Sequence, residues 1–199
     1  MAMIFVYEHR IGDFRCIEEG ELPAGLKGRA FEHVRDGIAW TDRRVLNAYE
    51  ALGDAFGPVD VERCFLPPGK GQSPHYAGLA LDMGRKLAEE QRRQLRAFCL
   101  KSPMFAYVEP PYLTPNWVHG EVAAGAACTP GRGYPFLALG DAGPHVFLLQ
   151  ELLTRRGFPC LLCGHFNQDT RRALMAYQSH FGLPVHGHAD GQLWQHMTQ

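Results

Sequence analysis

The chain has 199 residues, of which 46% are hydrophobic and 21% are charged, and its formal net charge is −1. These values are ordinary for a globular protein that buries a core, and this length allows one large domain or two small ones. The near-zero net charge excludes a general electrostatic attraction to nucleic acid or to anionic lipid. No stretch is apolar for long enough to span a membrane. We therefore expect neither nucleic acid nor a membrane as a partner.

The six cysteines stand at positions 16, 64, 99, 128, 160 and 163, without the spacing of a disulfide framework. The N-terminus shows no basic segment followed by the apolar core of a signal peptide, so we expect reduced thiols. Cys160 and Cys163 form a C-x-x-C pair, which is at most half of a zinc site. Pro159 and Gly164 flank this pair and favour a loop.

The first 70 residues predict a mixture of strands and helices. Residues 3–7 alternate in hydrophobicity as a first strand, whereas residues 10–26 are rich in turn formers. Residues 42–52 show helical spacing of apolar side chains behind an N-cap candidate, Thr41 or Asp42. Gly57 and Pro58 end that helix, and residues 59–65 alternate as a second strand.

The segment from Ser73 to Asp82 carries the most informative pattern of this region. Ser73 and Pro74 do not open a helix easily, and Gly78 allows the backbone to turn. Residues 79–82 then alternate as a short strand. His75 in a loop and Asp82 on a strand can therefore converge on one point, as metal ligands from different elements must.

A third ligand follows about forty residues later. After a predicted helix over residues 84–100, residues 118–122 (Val-His-Gly-Glu-Val) are predicted as a strand of the same small sheet, and His119 lies on it. Two histidines and one carboxylate leave one zinc coordination position open for water. The set His75, Asp82 and His119 is therefore typical of a catalytic rather than a structural zinc site.

The residues around these predicted ligands resemble the motif of a known family. Ser-x-His-x-x-Gly-x-Ala-x-Asp, followed by Trp-x-His, resembles the zinc D-alanyl-D-alanine carboxypeptidase family, which includes vancomycin-resistance dipeptidases and phage endolysin peptidases. The resemblance covers roughly residues 40–123. It implies zinc as cofactor, hydrolysis of a peptide bond in a cell-wall stem peptide, and a substrate-binding role for Ser73.

The general base that the resemblance implies is not at its usual position. Many relatives carry an acid three residues before the last zinc histidine, where this chain has Asn116, and others carry a histidine where it has Trp117. One branch shows Trp-x-His-x-acid, which fits Glu121. Strand periodicity places Glu121 on the same face as His119. Glu109, in a loop before Pro110, is the second candidate for the catalytic carboxylate.

A second departure concerns substrate recognition. Relatives place an arginine in a Ser-Gly-Tyr-Arg-like segment before the motif, where it grips a substrate carboxylate. This chain has Leu66 at that position, and simple strand alternation points Arg63 elsewhere. The missing grip favours an endopeptidase over a carboxypeptidase.

Residues 124–136 are dominated by small residues, glycine and proline, so we predict a linker there. Residues 137–199 then predict three helices, at 144–156, 167–181 and 190–197. Their pattern, from Leu139-Gly140 to Trp194, resembles the small helical peptidoglycan-binding domain that accompanies many cell-wall hydrolases. Two departures are His186, where an aspartate is usual, and Asp190, where a glycine is common. Exposed groups around Phe166, Asn167, Gln168 and Tyr177 are the candidates for glycan contact.

The combined prediction is an α+β protein of two domains. Residues 1–123 form a zinc peptidase-like domain with a central antiparallel sheet and flanking helices, and residues 137–199 form an all-α domain. The implied function is that of an endolysin-like endopeptidase acting on peptidoglycan. The alternatives are a D-alanyl-D-alanine carboxypeptidase and a non-catalytic zinc-binding protein of the cell wall. We expect a monomer that is cytoplasmic until it is released to the wall, or extracellular if an export signal has been trimmed.

Overall fold

The computed structural model describes residues 3–34, 37–122 and 133–199. They form seven strands and five α-helices with a mixed α+β architecture. The strands are β1 (Met3–Glu8), β2 (Asp13–Ile17), β3 (Ile38–Asp42), β4 (Val61–Arg63), β5 (Ala80–Met83), β6 (Phe105–Val108) and β7 (Val118–Val122). The helices are α1 (Arg43–Phe56), α2 (Glu89–Lys101), α3 (Pro144–Arg155), α4 (Gln168–His180) and α5 (Gly191–Met197).

The first sheet has the strand order β2-β1-β3. Strand β1 pairs with β2 in antiparallel and with β3 in parallel orientation. Ile4 and Val6 of β1 are buried, and they lie on one face because side chains alternate along a strand. Helix α1 follows β3 directly, and the Asp42 carboxylate caps it by accepting the Arg44 backbone N–H.

The second sheet has the order β4-β5-β7-β6, and all of its strands are antiparallel to their neighbours. This sheet corresponds to the antiparallel sheet that the sequence predicts. In the pairing of β5 with β7, Asp82 lies opposite His119. The register therefore brings two of the predicted ligands together.

The C-terminal helices form a compact helical module. Asn167 and Asp190 cap α4 and α5 with their side chains. The amide of Gln150 on α3 is fully buried, and it accepts N–H groups of Cys163 and Gly164 and donates to the Thr170 hydroxyl. These bonds tie the turn between α3 and α4 to the centre of the module.

The two halves share one core. Phe147 of α3 stacks on Trp40 of β3, with 5.3 Å between ring centroids and 10° between planes. It also meets Phe14 edge to face at 4.6 Å. Gly164 has a φ of +70°, and a Cβ there would lie 2.3 Å from the Phe14 ring. This close approach between the module and the first sheet requires glycine.

Two predicted elements differ by several residues from the observed ones. The strand predicted at 59–65 is limited to β4, and the helix predicted from Gly84 begins at Glu89. Gly84 has a φ of +74°, outside the helical region, and its N–H donates to the Asp60 carbonyl at 2.9 Å.

The predicted linker lies mostly outside the described residues, but its last residues are packed against both halves. Trp194 Nε1 donates to the Pro135 carbonyl at 2.7 Å. Cys16, Cys64, Cys99 and Cys163 are free thiols, and Cys128 lies outside the described part of the chain. Among the described residues, no helix has the length and apolar character needed to cross a membrane.

Candidate metal centre

The loop that carries His75 is shaped by short-range hydrogen bonds. Ser73 caps a 3-10 turn over Pro74–Ala77, and its Oγ accepts the His75 backbone N–H at 3.3 Å. Gly78 ends this turn with a φ of +63°, and a Cβ there would lie 2.1 Å from the Trp40 carbonyl oxygen. Only glycine therefore lets the chain pass β3 and enter β5.

The three predicted ligands converge. Asp82 and His119 are opposite residues of an antiparallel pair, so their side chains share one face of the sheet. His119 Nδ1 lies 2.8 Å and His75 Nε2 lies 3.3 Å from the same oxygen, Asp82 Oδ1. One ligand atom from each residue lies within 4.8 Å of the other two, and all three residues are buried. Their role as zinc ligands stays a prediction.

The hydrogen bonds of His75 indicate whether a cation can bind between its ring and the Asp82 carboxylate. Its Nδ1 lies 3.2 Å from the Cys64 carbonyl oxygen, which can only accept, so Nδ1 carries the proton. In the neutral ring Nε2 then holds a lone pair. This atom is buried without a hydrogen-bond partner, and it faces the Asp82 carboxylate. Two electron-rich atoms buried side by side are stabilised by a cation between them, and the fixed tautomer is typical of metal-bound histidine.

The electrostatics of the cluster agree with this arrangement. Burial alone raises the pKa of Asp82, but the hydrogen bond from His119 and the neighbouring His75 ring outweigh burial and hold that pKa well below its usual range. Burial lowers the pKa of His119, but the Asp82 and Glu121 carboxylates outweigh it and raise that pKa to about 9 in the metal-free protein. The carboxylate is therefore ionised and available as a ligand at neutral pH.

The two candidate bases occupy different positions. Glu121 Oε1 lies 3.5 Å from His119 Nε2, on the face that strand periodicity predicts. Glu109 approaches β7 through its backbone, where its N–H donates to the His119 carbonyl at 2.9 Å. The structure thus places the Glu121 carboxylate beside the ligand cluster.

The prediction that Arg63 points elsewhere is wrong. Its Nη1 lies 3.8 Å from Asp82 Oδ2. The pairing of β4 with β5 shifts register between Val61 and Arg63, so simple alternation does not hold across this irregularity. The half-exposed Arg63 therefore supplies a cation at the edge of the cluster. This position removes the argument that favoured an endopeptidase over a carboxypeptidase.

Arg96 is a structural contributor that the sequence pattern does not reveal. This buried arginine of α2 donates to the carbonyls of Glu109, Thr114 and Trp117. The loop before His119 is thereby held by a single guanidinium. In the sequence Arg96 belongs to a run of charges typical of a solvated helix surface, so nothing there marks it.

In the C-terminal module, the Phe166 and Tyr177 rings are buried in the core, so any glycan contact in this region falls to the exposed groups around them. Asn167 caps α4 through an Oδ1 that accepts the Thr170 N–H. Large apolar side chains that the module does expose include Phe136, Leu139, Leu161, Phe181 and Val185.

The two departures from the module pattern form a second cluster. His186, His188 and Asp190 bring possible ligand atoms together. However, His186 Nδ1 accepts the His188 backbone N–H at 3.3 Å, as a carboxylate oxygen of the usual aspartate could. Its proton is then on Nε2, which faces Asp190 Oδ2 at 3.4 Å. We interpret this cluster as a hydrogen-bonded turn.

A cleft of about 180 Å³ lies where the first sheet meets the start of α3. Its lining includes the polar side chains of Tyr7, His9, Asp42, Arg44, Asp141 and His145. Asp42 accepts from His9 Nε2 at 2.8 Å and from Arg44 Nε and Nη2 at 3.0 and 2.9 Å. These groups satisfy one another, so the chemistry of the molecule points to the His75 cluster rather than to this cleft.

Comparison with protein-family models finds one match, over residues 142–197, to the family described as "Putative peptidoglycan binding domain". Comparison with curated proteins and with solved structures finds no match. The family match confirms the C-terminal module and supports peptidoglycan as a partner. It contains none of the ligands of the candidate metal centre, so the peptidase resemblance of the N-terminal half rests on its motif and its geometry.

Proposed function

We propose that this protein is a zinc-dependent peptidoglycan hydrolase that cleaves a peptide bond in cell-wall stem peptides. The observation that carries the proposal is the buried cluster of His75, Asp82 and His119, in which an unpaired imidazole nitrogen faces an ionised carboxylate. The wall-binding module supports peptidoglycan as the substrate, because it holds the chain on the polymer that contains such peptides.

His75, Asp82 and His119 would hold the zinc ion. The bound ion would supply a Lewis acid that polarises the scissile carbonyl and acidifies water. The Glu121 carboxylate, next to this cluster, accepts the proton of the attacking water and passes it to the leaving amine nitrogen. The partly exposed Arg63 lies where it can attract a substrate carboxylate.

Two cleavage modes are compatible with this site. An endopeptidase cuts within the stem or its cross-bridge, as endolysins do, whereas a D-alanyl-D-alanine carboxypeptidase releases the terminal D-alanine. Arg63, beside Asp82, provides a cation that can bind the terminal carboxylate of the substrate, as a carboxypeptidase requires. The products of the reaction distinguish the two modes.

The test is digestion of purified peptidoglycan by the zinc-loaded full chain, with the released fragments identified by mass spectrometry. We expect new amino termini or free D-alanine with the intact protein and neither with His119→Ala. Arg172→Ala, at an exposed position of the helical module, serves as a control that leaves the metal ligands unchanged. Equal release by the His119→Ala protein would contradict the proposal.

A different outcome would support the second candidate function, a wall-binding protein that holds zinc without catalysis. Asn116 and Trp117, at positions where relatives carry acid–base residues, are the observation that favours it. In that case the protein binds one equivalent of zinc and sediments with peptidoglycan, but it releases no fragment.

A further inference from the structure

The loop that leads to His75 is held by the C-terminal module at two points and by a residue just before the module at a third. Arg155 Nη1 of α3 donates to the Pro68 carbonyl at 2.6 Å. The Gly71 N–H donates to the Thr198 carbonyl, after α5, at 2.7 Å. The third point is Ser73, two residues before the candidate ligand, and its partner is Tyr134.

Tyr134 binds the backbone of Ser73 on both sides. Its hydroxyl accepts the Ser73 N–H at 2.8 Å and donates to the Ser73 carbonyl at 3.0 Å. Its own backbone N–H donates to Gln72 Oε1 at 2.9 Å. The Tyr134 ring packs edge to face on Trp194, with 5.1 Å between ring centroids. The tyrosine is therefore anchored in the helical module while its hydroxyl fixes a residue of the metal loop.

The position of the His75 backbone depends directly on that of Ser73. Ser73 Oγ accepts the His75 N–H, and the His75 carbonyl accepts the N–H groups of Leu66 and Gly78. The His75 ring is buried, with Nδ1 bonded to Cys64, so it has little freedom to correct a shift of its backbone. A displaced Ser73 would move His75 Nε2 away from Asp82 and His119.

We propose that Tyr134 is a positioning residue for the candidate metal centre, through which the wall-binding module sets the affinity of the site for zinc. The inference rests on the proposed function, since it needs the His75 cluster to bind metal. The alternative is that Tyr134 only stabilises the fold. The two differ in one quantity, which is the zinc affinity of the protein once folded.

The test compares full-length wild type with Tyr134→Phe, which keeps the ring on Trp194 and removes the two hydroxyl hydrogen bonds. The zinc dissociation constant is measured by competition with a chromophoric chelator, and the folded fraction of each protein is measured by circular dichroism under the same conditions. We expect about tenfold weaker zinc binding, at the low end of the effect of residues that orient metal ligands. The absorption spectrum of bound Co²⁺ should also change, because it reports ligand geometry.

Tyr112→Phe is the matched control, since Tyr112 is 79% exposed on the loop before β7. We expect its zinc affinity to equal that of wild type. If Tyr134→Phe does not fold, Gln72→Ala removes the acceptor of the Tyr134 N–H from an exposed position, and the same loss of affinity, to a smaller extent, supports the inference.

The outcomes separate the inference from the proposed function. Wild-type affinity and an unchanged Co²⁺ spectrum in folded Tyr134→Phe would overturn the positioning role and leave the proposed function intact. No stoichiometric zinc binding by wild type would overturn both.

Discussion

At the scale of single residues, the role of Glu121 decides whether the candidate site is catalytic. Its carboxylate lies 3.5 Å from His119 Nε2, close enough either to take a proton during hydrolysis or to orient the His119 ring. We expect Glu121→Gln, which keeps the shape of the side chain, to lower kcat about 10²- to 10⁴-fold. The zinc dissociation constant should stay within about twofold of wild type, because Glu121 is not a ligand in the proposed set.

Glu109→Gln is the matched control, and we expect it to retain activity because Glu109 contacts β7 through its backbone. Fragment release and zinc competition on the same three proteins check the prediction. If Glu121→Gln instead loses zinc affinity by 10-fold or more, Glu121 orients His119 and another group is the base.

The residues of the metal cluster could be named from the sequence, but their geometry could not. The motif spacing predicts that His75, Asp82 and His119 converge, and the structure brings them together, while their role as metal ligands stays a prediction. The position of Arg63 depends on a register shift between β4 and β5, which no local pattern encodes. Similarly, Arg96 and Tyr134 act on loops far away in the sequence, and such pairs show no periodic signal.

At the scale of elements, the sequence predicted the helices and strands that have their own capping residues and a clear hydrophobic periodicity. Strand β7 was predicted with its observed bounds, α3 ends one residue before its predicted end, and α4 is one residue shorter than predicted at each end. Strands β2, β3 and β6 were not predicted. Each is only four or five residues long, and its stability comes from pairing with a partner distant in the sequence.

Helix α3 carries the pH-sensitive element of the fold. His145 lies in its first turn and is buried, and burial lowers the pKa of His145 to about 4, although the Asp42 charge opposes this shift. The partial positive charge of the helix N-terminus also disfavours protonation. In the unfolded chain the same imidazole binds a proton below about pH 6.5.

The sign of the stability effect follows from these two values. Between about pH 6.5 and pH 4 the unfolded state binds a proton at His145 that the folded state does not, so the free energy of unfolding falls as pH is lowered through this window. We expect His145→Gln to remove about 2–3 kcal/mol of that fall, at 1.36 kcal/mol per pKa unit. Urea unfolding at pH 7.5 and pH 4.5 measures it.

His180→Gln, at an exposed position of α4, is the control for that experiment, and its loss of stability between the two pH values should match wild type. Other groups titrate in the same window, but they contribute equally to the compared proteins. An unchanged pH dependence in His145→Gln would show that His145 is protonated in the folded state.

At the scale of the whole molecule, the two halves share aromatic core residues. Phe147 of α3 is 1% exposed, stacks on Trp40 and meets Phe5 and Phe14 of the first sheet. The sequence predicted two modules joined by a linker, since each half carries its own pattern. The sequence could not show that α3 packs against the first sheet. The apolar pattern of a helix or strand predicts a buried face, but it does not indicate which element covers that face.

This shared core predicts that the candidate metal centre and the C-terminal module unfold together. Phe147→Ala should lower the free energy of unfolding by about 3–5 kcal/mol, the usual cost of truncating a buried phenylalanine. Because Phe147 contacts both halves, protection of the amides in β5, β7 and α4 should fall by the same free energy. Hydrogen exchange followed by mass spectrometry measures the peptides of each element separately.

Phe136→Ala is the control. At a position 55% exposed, it should change the free energy of unfolding by less than about 0.5 kcal/mol. Faster exchange in α4 with unchanged protection in β5 and β7 would mean that the module opens alone. Binding of the module to the wall could then not change the position of His75.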